Sequence, residues 1–184
     1  LLCQSIDAAG LHRTVNGNVL AILVQEIALR YPRGEAYDGL SRFRLPIEYG
    51  KWETIYDENE IALLAEGSMV KTAVEVRDRL RQMGYGCTLV NARFVKPLDQ
   101  EAIRTLQAEH QLLVTMEENV KAGGFGEAVL EYLNEIKSQT RAMVIALPDD
   151  YVEHGNVDLL KQECGIDADS VVKKIVIEYI GLTK

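Results

Sequence analysis

The 184-residue chain carries 20 basic and 28 acidic side chains, a net charge of −8, with 47% hydrophobic and 26% charged residues. A chain of this length buries roughly 70% of its unfolded surface, so its core needs no metal or disulfide staple. The acid excess argues against nonspecific nucleic-acid binding and against an anionic membrane surface, both of which need a basic face; a local basic pocket for one small phosphate stays compatible with it.

In chain order, residues 1–6 read as a strand and 19–29 as a strand or a helix, with Asn16-Gly17-Asn18 turning between them. The 19–29 run is interrupted by Gln25 and Glu26 and falls short of the ~18 apolar residues of a membrane span. No basic leader with a cleavage site is visible, and a cytoplasmic protein is the expectation. The first residue is Leu rather than Met, which suggests a start upstream. Residues 30–56 are broken by Pro32, Gly34, Gly39, Pro46 and Gly50 into turns and short extended pieces, as in a linker leading into a domain.

From Asp57 onward the pattern is regular. The nearly all-apolar run 61–65 predicts a strand buried on both faces. Residues 69–83 predict a helix with a stripe of Val70, Ala73, Val74, Arg77 and Leu80, stopped by Gly84. A strand at 87–91 follows, then a helix to Glu109 that Asp99 would cap. Strands at 112–116 and 142–147 flank a helix opened by the loop Gly123-Gly124-Phe125-Gly126. Helices near 157–164 and 169–180 complete the chain. This alternation predicts an α/β fold of three layers, a mostly parallel sheet with helices on both faces. Ligands of such sheets bind beyond the carboxyl ends of the strands, here at Glu66-Gly67-Ser68, Ala92-Arg93-Phe94, Glu117-Glu118-Asn119 and Pro148-Asp149-Asp150.

Several residues in those loops bear chemistry. The glycine-rich loop precedes a helix, whose amides attract anions. It lacks GxGxxG spacing and is surrounded by Glu117, Glu118 and Glu127, so tight backbone packing is the expectation. Glu117 and Glu118 resemble an acid–base pair, but neighbours on a strand point to opposite faces and cannot serve one atom. One of them is expected to hydrogen-bond nearby backbone or a subunit, the other to be solvated. Arg93, Lys96 and Asp99 surround Phe94-Val95-Lys96-Pro97, either as a contact to a neighbouring domain or as a solvated loop. His154 is a loop histidine with no His or Cys nearby, a weak ligand signal, and His12 and His110 are weaker still. Cys3, Cys87 and Cys164 are odd in number and widely spaced, which suggests reduced thiols rather than a disulfide framework or a zinc site. Arg33 stands between Pro32 and Gly34, where a guanidinium on a restricted backbone suits bidentate phosphate binding, although a plain surface arginine is the stronger reading of these residues alone.

Five segments occur in order: Arg30-Tyr31-Pro32-Arg33-Gly34; Ile61-Ala62-Leu63-Leu64-Ala65 with Gly67-Ser68-Met69-Val70; Asn91 through Asp99; Val114 through Asn119 with the glycine loop; and Leu147-Pro148-Asp149 with Glu153-His154-Gly155. Together they resemble the 1-deoxy-D-xylulose-5-phosphate synthase family of thiamine-diphosphate enzymes, from about Arg30 to the C-terminus. The resemblance implies a transketolase-type C-terminal domain at 57–184 behind a linker at 30–56, with 1–29 a remnant of the pyrimidine-binding domain or unassigned. It implies a complete enzyme that condenses pyruvate with glyceraldehyde 3-phosphate, with loss of carbon dioxide, using thiamine diphosphate and Mg2+. This domain would support a homodimer and supply Arg33 to the substrate phosphate, with no catalytic, cofactor-binding or metal residue of its own. The diphosphate-binding GDG…N motif and an assignable activating glutamate are absent from this sequence, so the isolated chain is expected to be inactive. Asn91 and Glu66 depart from the family pattern, as does Ala8, where a faintly similar family segment has Arg. The alternatives are the C-terminal subunit of a split transketolase-like enzyme and a non-catalytic interaction domain on the same fold.

Overall fold

A computed structural model describes residues 37–43 and 46–182. The strand and helix expectations for residues 1–29, together with Arg33, His12 and Cys3, lie outside the described residues. The elements are β1 (Glu53–Tyr56), β2 (Glu60–Ala65), α1 (Met69–Gln82), β3 (Cys87–Asn91), α2 (Gln100–Glu109), β4 (His110–Val120), α3 (Phe125–Glu135), β5 (Arg141–Leu147), α4 (Val157–Glu163) and α5 (Ala168–Leu182). The strands form one five-stranded sheet in the order β1-β3-β2-β4-β5. All pairings are parallel except β1 with β3, which is antiparallel.

The period-two alternation of β2 divides the core. Ile61, Leu63 and Ala65 face α1 and α5, joined by Leu89, Val114, Met116, Val76, Leu80, Val171 and Ile175. Ala62 and Leu64 face α2 and α3, with Val90, Leu113, Ile103, Phe125 and Val129. Every residue of the 61–65 run has no solvent exposure, because helices cover both faces of the sheet. Each fully buried aliphatic side chain contributes about 1.5–3 kcal/mol relative to exposure. The three-layer α/β arrangement expected from the sequence is the one observed.

Local signals behave as their chemistry dictates. Asp99 accepts a hydrogen bond from the Ala102 amide and so caps α2. α1 ends at Gln82, and Gly84 follows with φ +93°, a backbone state that costs glycine little. Arg77 belongs to the buried stripe of α1 despite its charge. Its guanidinium pairs with Glu58 at 2.6 Å and stacks 3.7 Å from the Tyr56 ring centroid, which satisfies the charge inside an apolar face.

Two elements differ from the sequence reading. β1 lies within the stretch read as turns and short extended pieces; it is a four-residue edge strand whose alternation is too short to stand out. β4 runs on through Glu117-Glu118-Asn119 to Val120, with an irregularity between Met116 and Val120 in its pairing to β5. Charged residues end the apolar run there, although the backbone stays extended.

Candidate functional site

Because β2, β3, β4 and β5 are parallel, their carboxyl ends share one edge of the sheet. That edge carries the polar residues singled out above. At its centre Glu117 is 0% exposed. Its Oε2 accepts the Phe125 amide at 2.8 Å and its Oε1 accepts the Gly126 amide at 2.7 Å. The N-terminal amides of α3 therefore hold a carboxylate of the same chain, which complements the helix dipole. An extra Cβ on Gly124 would stand 2.6 Å from that carboxylate, and one on Gly126 2.5 Å from Thr115 Oγ1. Tight packing thus explains both glycines.

Asn119 donates to Glu66 at 3.1 Å and to Glu117 at 3.3 Å, tying the ends of β2 and β4. Glu118, on the other side of the strand, accepts from the Ser68 hydroxyl and pairs with Lys161 of α4 at 2.5 Å. The pair is divided as the strand geometry requires, but Glu118 is tethered rather than simply solvated. α4 buries none of its residues, and this ion pair ties it to the end of β4. Near the end of β5 a groove of about 560 Å3 is lined by Lys121, Glu127, Leu147, Asp149 and Cys164, among others.

The remaining candidates are put to internal use. Arg93 pairs with Glu53 of β1, both side chains largely buried. Asp99 accepts the Trp52 amide at 3.0 Å as well as capping α2, and the Trp52 indole donates to the Phe94 carbonyl at 2.8 Å. Lys96 is exposed, next to a cis Lys96–Pro97 bond. The loop thus binds this domain's own edge strand, a third use beside the two considered from sequence. His110 is buried, its ring contacting the Leu106 carbonyl at 2.9 Å and Thr88 Oγ1 at 2.8 Å. His154 is exposed. Burial pushes the Cys87 thiol up to about 12, against the pull of the Arg77 guanidinium. Burial also works to raise the Glu58 carboxyl, but the Cys87 amide and Arg77 outweigh it and hold that group below its ordinary value.

Glu117 is fully buried and spends both oxygens on the α3 amides, so its visible role is to anchor that helix. Among the described residues no group of three or more His, Cys, Asp or Glu could hold a metal ion. Glu117 closes the N-terminus of α3, the place on this edge where a diphosphate would otherwise meet helix amides. These residues therefore do not fit a metal–diphosphate cofactor. Among the described residues, the edge ties β2, β4, α3 and α4 together through Asn119, Glu117 and Glu118. Glu117 as the partner of α3 could have been suspected from sequence, since a strand-end acid precedes a Gly-Gly helix start that needs an acceptor. Among the described residues, no helix is long and apolar enough to cross a membrane.

Residues 50–171 match the family described as transketolase, C-terminal domain. The chain is 53% identical over 150 residues to the 1-deoxy-D-xylulose-5-phosphate synthase of Lachnoclostridium phytofermentans, covering 81% of this chain and 24% of that protein. Against the synthase of the same name from Clostridium perfringens it is 39% identical over 155 residues, covering 84% and 25%. It thus spans about a quarter of the length of the curated relatives it matches. Among solved structures, a split gene transketolase described as an inactive beta4 tetramer superposes with a TM-score of 0.68 at 25% identity, over 76% of this chain and 44% of that one. Transketolase from Campylobacter jejuni, at 16% identity and a TM-score of 0.51, shares the fold over 69% of this chain and 18% of its own. The chain belongs to the transketolase C-terminal domain family, and the curated relatives it matches are 1-deoxy-D-xylulose-5-phosphate synthases.

Proposed function

We propose that this chain is the C-terminal part of a 1-deoxy-D-xylulose-5-phosphate synthase, a cytoplasmic transferase that joins pyruvate to glyceraldehyde 3-phosphate with loss of carbon dioxide. In the complete enzyme, thiamine diphosphate with Mg2+ supplies the carbanion chemistry, from domains other than this one. The support domain, read from the sequence as 57–184 behind a linker at 30–56, also takes in β1, and residues 1–29 are a remnant of the pyrimidine-binding domain or unassigned. Arg33 meets the phosphate of the aldehyde substrate. The domain's contribution is to hold the dimer and place that arginine. The observation that carries this reading is the 53% identity over 150 residues to a 1-deoxy-D-xylulose-5-phosphate synthase, within a match to the transketolase C-terminal domain family. An oligomeric role is supported by the likeness to a split gene transketolase described as a beta4 tetramer.

Two experiments test the reading. The purified 184-residue chain, given pyruvate, glyceraldehyde 3-phosphate, thiamine diphosphate and Mg2+, is expected to form no product; measurable deoxyxylulose phosphate would refute it. In the complete synthase, Arg33→Ala is expected to raise KM for the phosphorylated aldehyde at least tenfold, in line with the loss of a charge-assisted contact of about 1.5–3 kcal/mol, without weakening cofactor binding. An unchanged KM would remove Arg33 from the site.

A second reading is favoured by the likeness to a split gene transketolase. Here the chain is the C-terminal subunit of a two-chain enzyme and gains activity only with a partner that carries the diphosphate site. Co-expression with the upstream gene product, followed by size-exclusion chromatography and assay, distinguishes the two.

A further inference from the structure

The sheet has two edges, and they are built differently. β1 closes one with four residues, a shift in its pairing between Thr54 and Tyr56, and a charged Glu53; short, irregular and charged edges resist further pairing. β5 forms the other with seven residues, of which Ala142 to Leu147 carry no charge. Among the described residues, no strand lies on its outer side. The Leu147 carbonyl accepts the Lys121 amide on the β4 side at 3.0 Å. Backbone direction alternates along a strand, so Ala142, Val144 and Ala146 turn their N–H and C=O groups outward.

The two ends of β5 differ in charge. At its start, the exposed Lys137 and Arg141 line a groove of about 640 Å3. Arg141 pairs with Glu178, yet its side chain stays 59% exposed and within reach of a second acid. At its end, Val144, Ala146 and Leu147 line the groove of about 560 Å3, where Glu127, Asp149 and Glu163 outnumber Lys121. A partner suited to this edge is extended, uncharged along its middle, basic at one end and acidic at the other. β5 itself has that pattern. Run antiparallel about a two-fold axis through Val144, it sets Val144 against Val144 and Ala142 against Ala146, so that every outward residue pairs at once. The same rotation brings Arg141 of each copy beside Leu147 of the other, next to its acidic groove, where unlike charges attract.

We propose that β5 is a self-pairing edge, through which two copies of this chain join their sheets antiparallel into one. Such pairing supplies a surface for the oligomeric role proposed above, and it is read from association rather than turnover, so it fails separately from the synthase reading. Sedimentation equilibrium of the 184-residue chain from about 1 to 200 μM should show a concentration-dependent dimer. Amide exchange at Ala142, Val144 and Ala146 should slow about tenfold over the same range. Val144→Pro removes an outward donor while leaving the β4 ladder in place, and should raise the dimer Kd about tenfold. Arg141→Glu sets acid against acid and should also raise it, more so at low salt, with Asp149→Lys in the same chain restoring part of the loss. This charge exchange decides the matter where Val144→Pro fails to fold. A monomer across the range, or a dimer indifferent to Val144→Pro and Arg141→Glu, would overturn the proposal. So would protection of the same amides in the complete synthase at concentrations where the isolated chain leaves them open, which would assign the edge to the rest of that enzyme.

Discussion

Replacing Glu117 with alanine would strip the acceptor from two amides at the start of α3 and leave them buried. Each unpartnered buried amide costs about 1–3 kcal/mol. Part of that is offset, because the variant no longer buries a carboxylate in a site with no solvent exposure. Loss of a helix cap alone is worth about 0.5–2 kcal/mol, and two such contacts with charge assistance place the net loss near 3 kcal/mol. For a chain of this size, that corresponds to a fall in Tm of about 6–12 °C. Glu117→Gln should lose about half as much in free energy, since it keeps one oxygen but turns an NH2 toward the second amide. Urea denaturation of the 184-residue chain gives the free energies, and hydrogen exchange at Phe125 and Gly126 localises the effect. An alanine variant within ~0.5 kcal/mol of the parent, with α3 amide protection unchanged, would refute this account of the glycine loop.

Two further outcomes follow from the core. Gly126→Ala should destabilise by about 1–3 kcal/mol, because its methyl would meet Thr115 Oγ1 at 2.5 Å and Val144 at 2.6 Å; thermal unfolding measures it, and a neutral result would mean that β4 and α3 can part freely. Cys87, raised from 9.0 to about 12 by burial, should resist iodoacetamide in the native chain at pH 8 and react once urea unfolds it. Its folded value lies above the unfolded one, so its contribution is complete below about pH 9 and is lost as pH rises from there toward 12. Stability that holds level across that window in the parent, measured against Cys87→Ala, would count against the burial argument.

Much of the fold was legible because backbone period and burial coincide. The 61–65 run, the Asp99 cap and the Gly84 stop each act locally, and each is found where its chemistry places it. What stayed hidden is long-range. β1 becomes a strand only by pairing with β3 across more than thirty residues, and nothing within Glu53–Tyr56 itself announces that partner. The end of β4 was concealed by Glu117-Glu118-Asn119, whose polarity reads as a loop until each side chain is given its acceptor or donor. Arg77 appeared in the predicted stripe, but only the approach of Glu58 and Tyr56 explains how a guanidinium can be buried there. Arg33 was singled out by its neighbours in sequence and by resemblance, and it lies outside the described residues.

The placement of β1 next to β3, rather than next to β2, also sets a sequence of events during synthesis. Chain leaves the ribosome N-terminus first, at about 5–20 residues per second. β1 finds no docking edge until Cys87–Asn91 has followed it out, and Trp52 has no acceptors for its indole and amide until Phe94 and Asp99 appear. Until then the segment around β1 and Trp52 lacks the partners that hold it in the finished domain. Closure of the β1 edge therefore waits on residues more than thirty positions further along the chain.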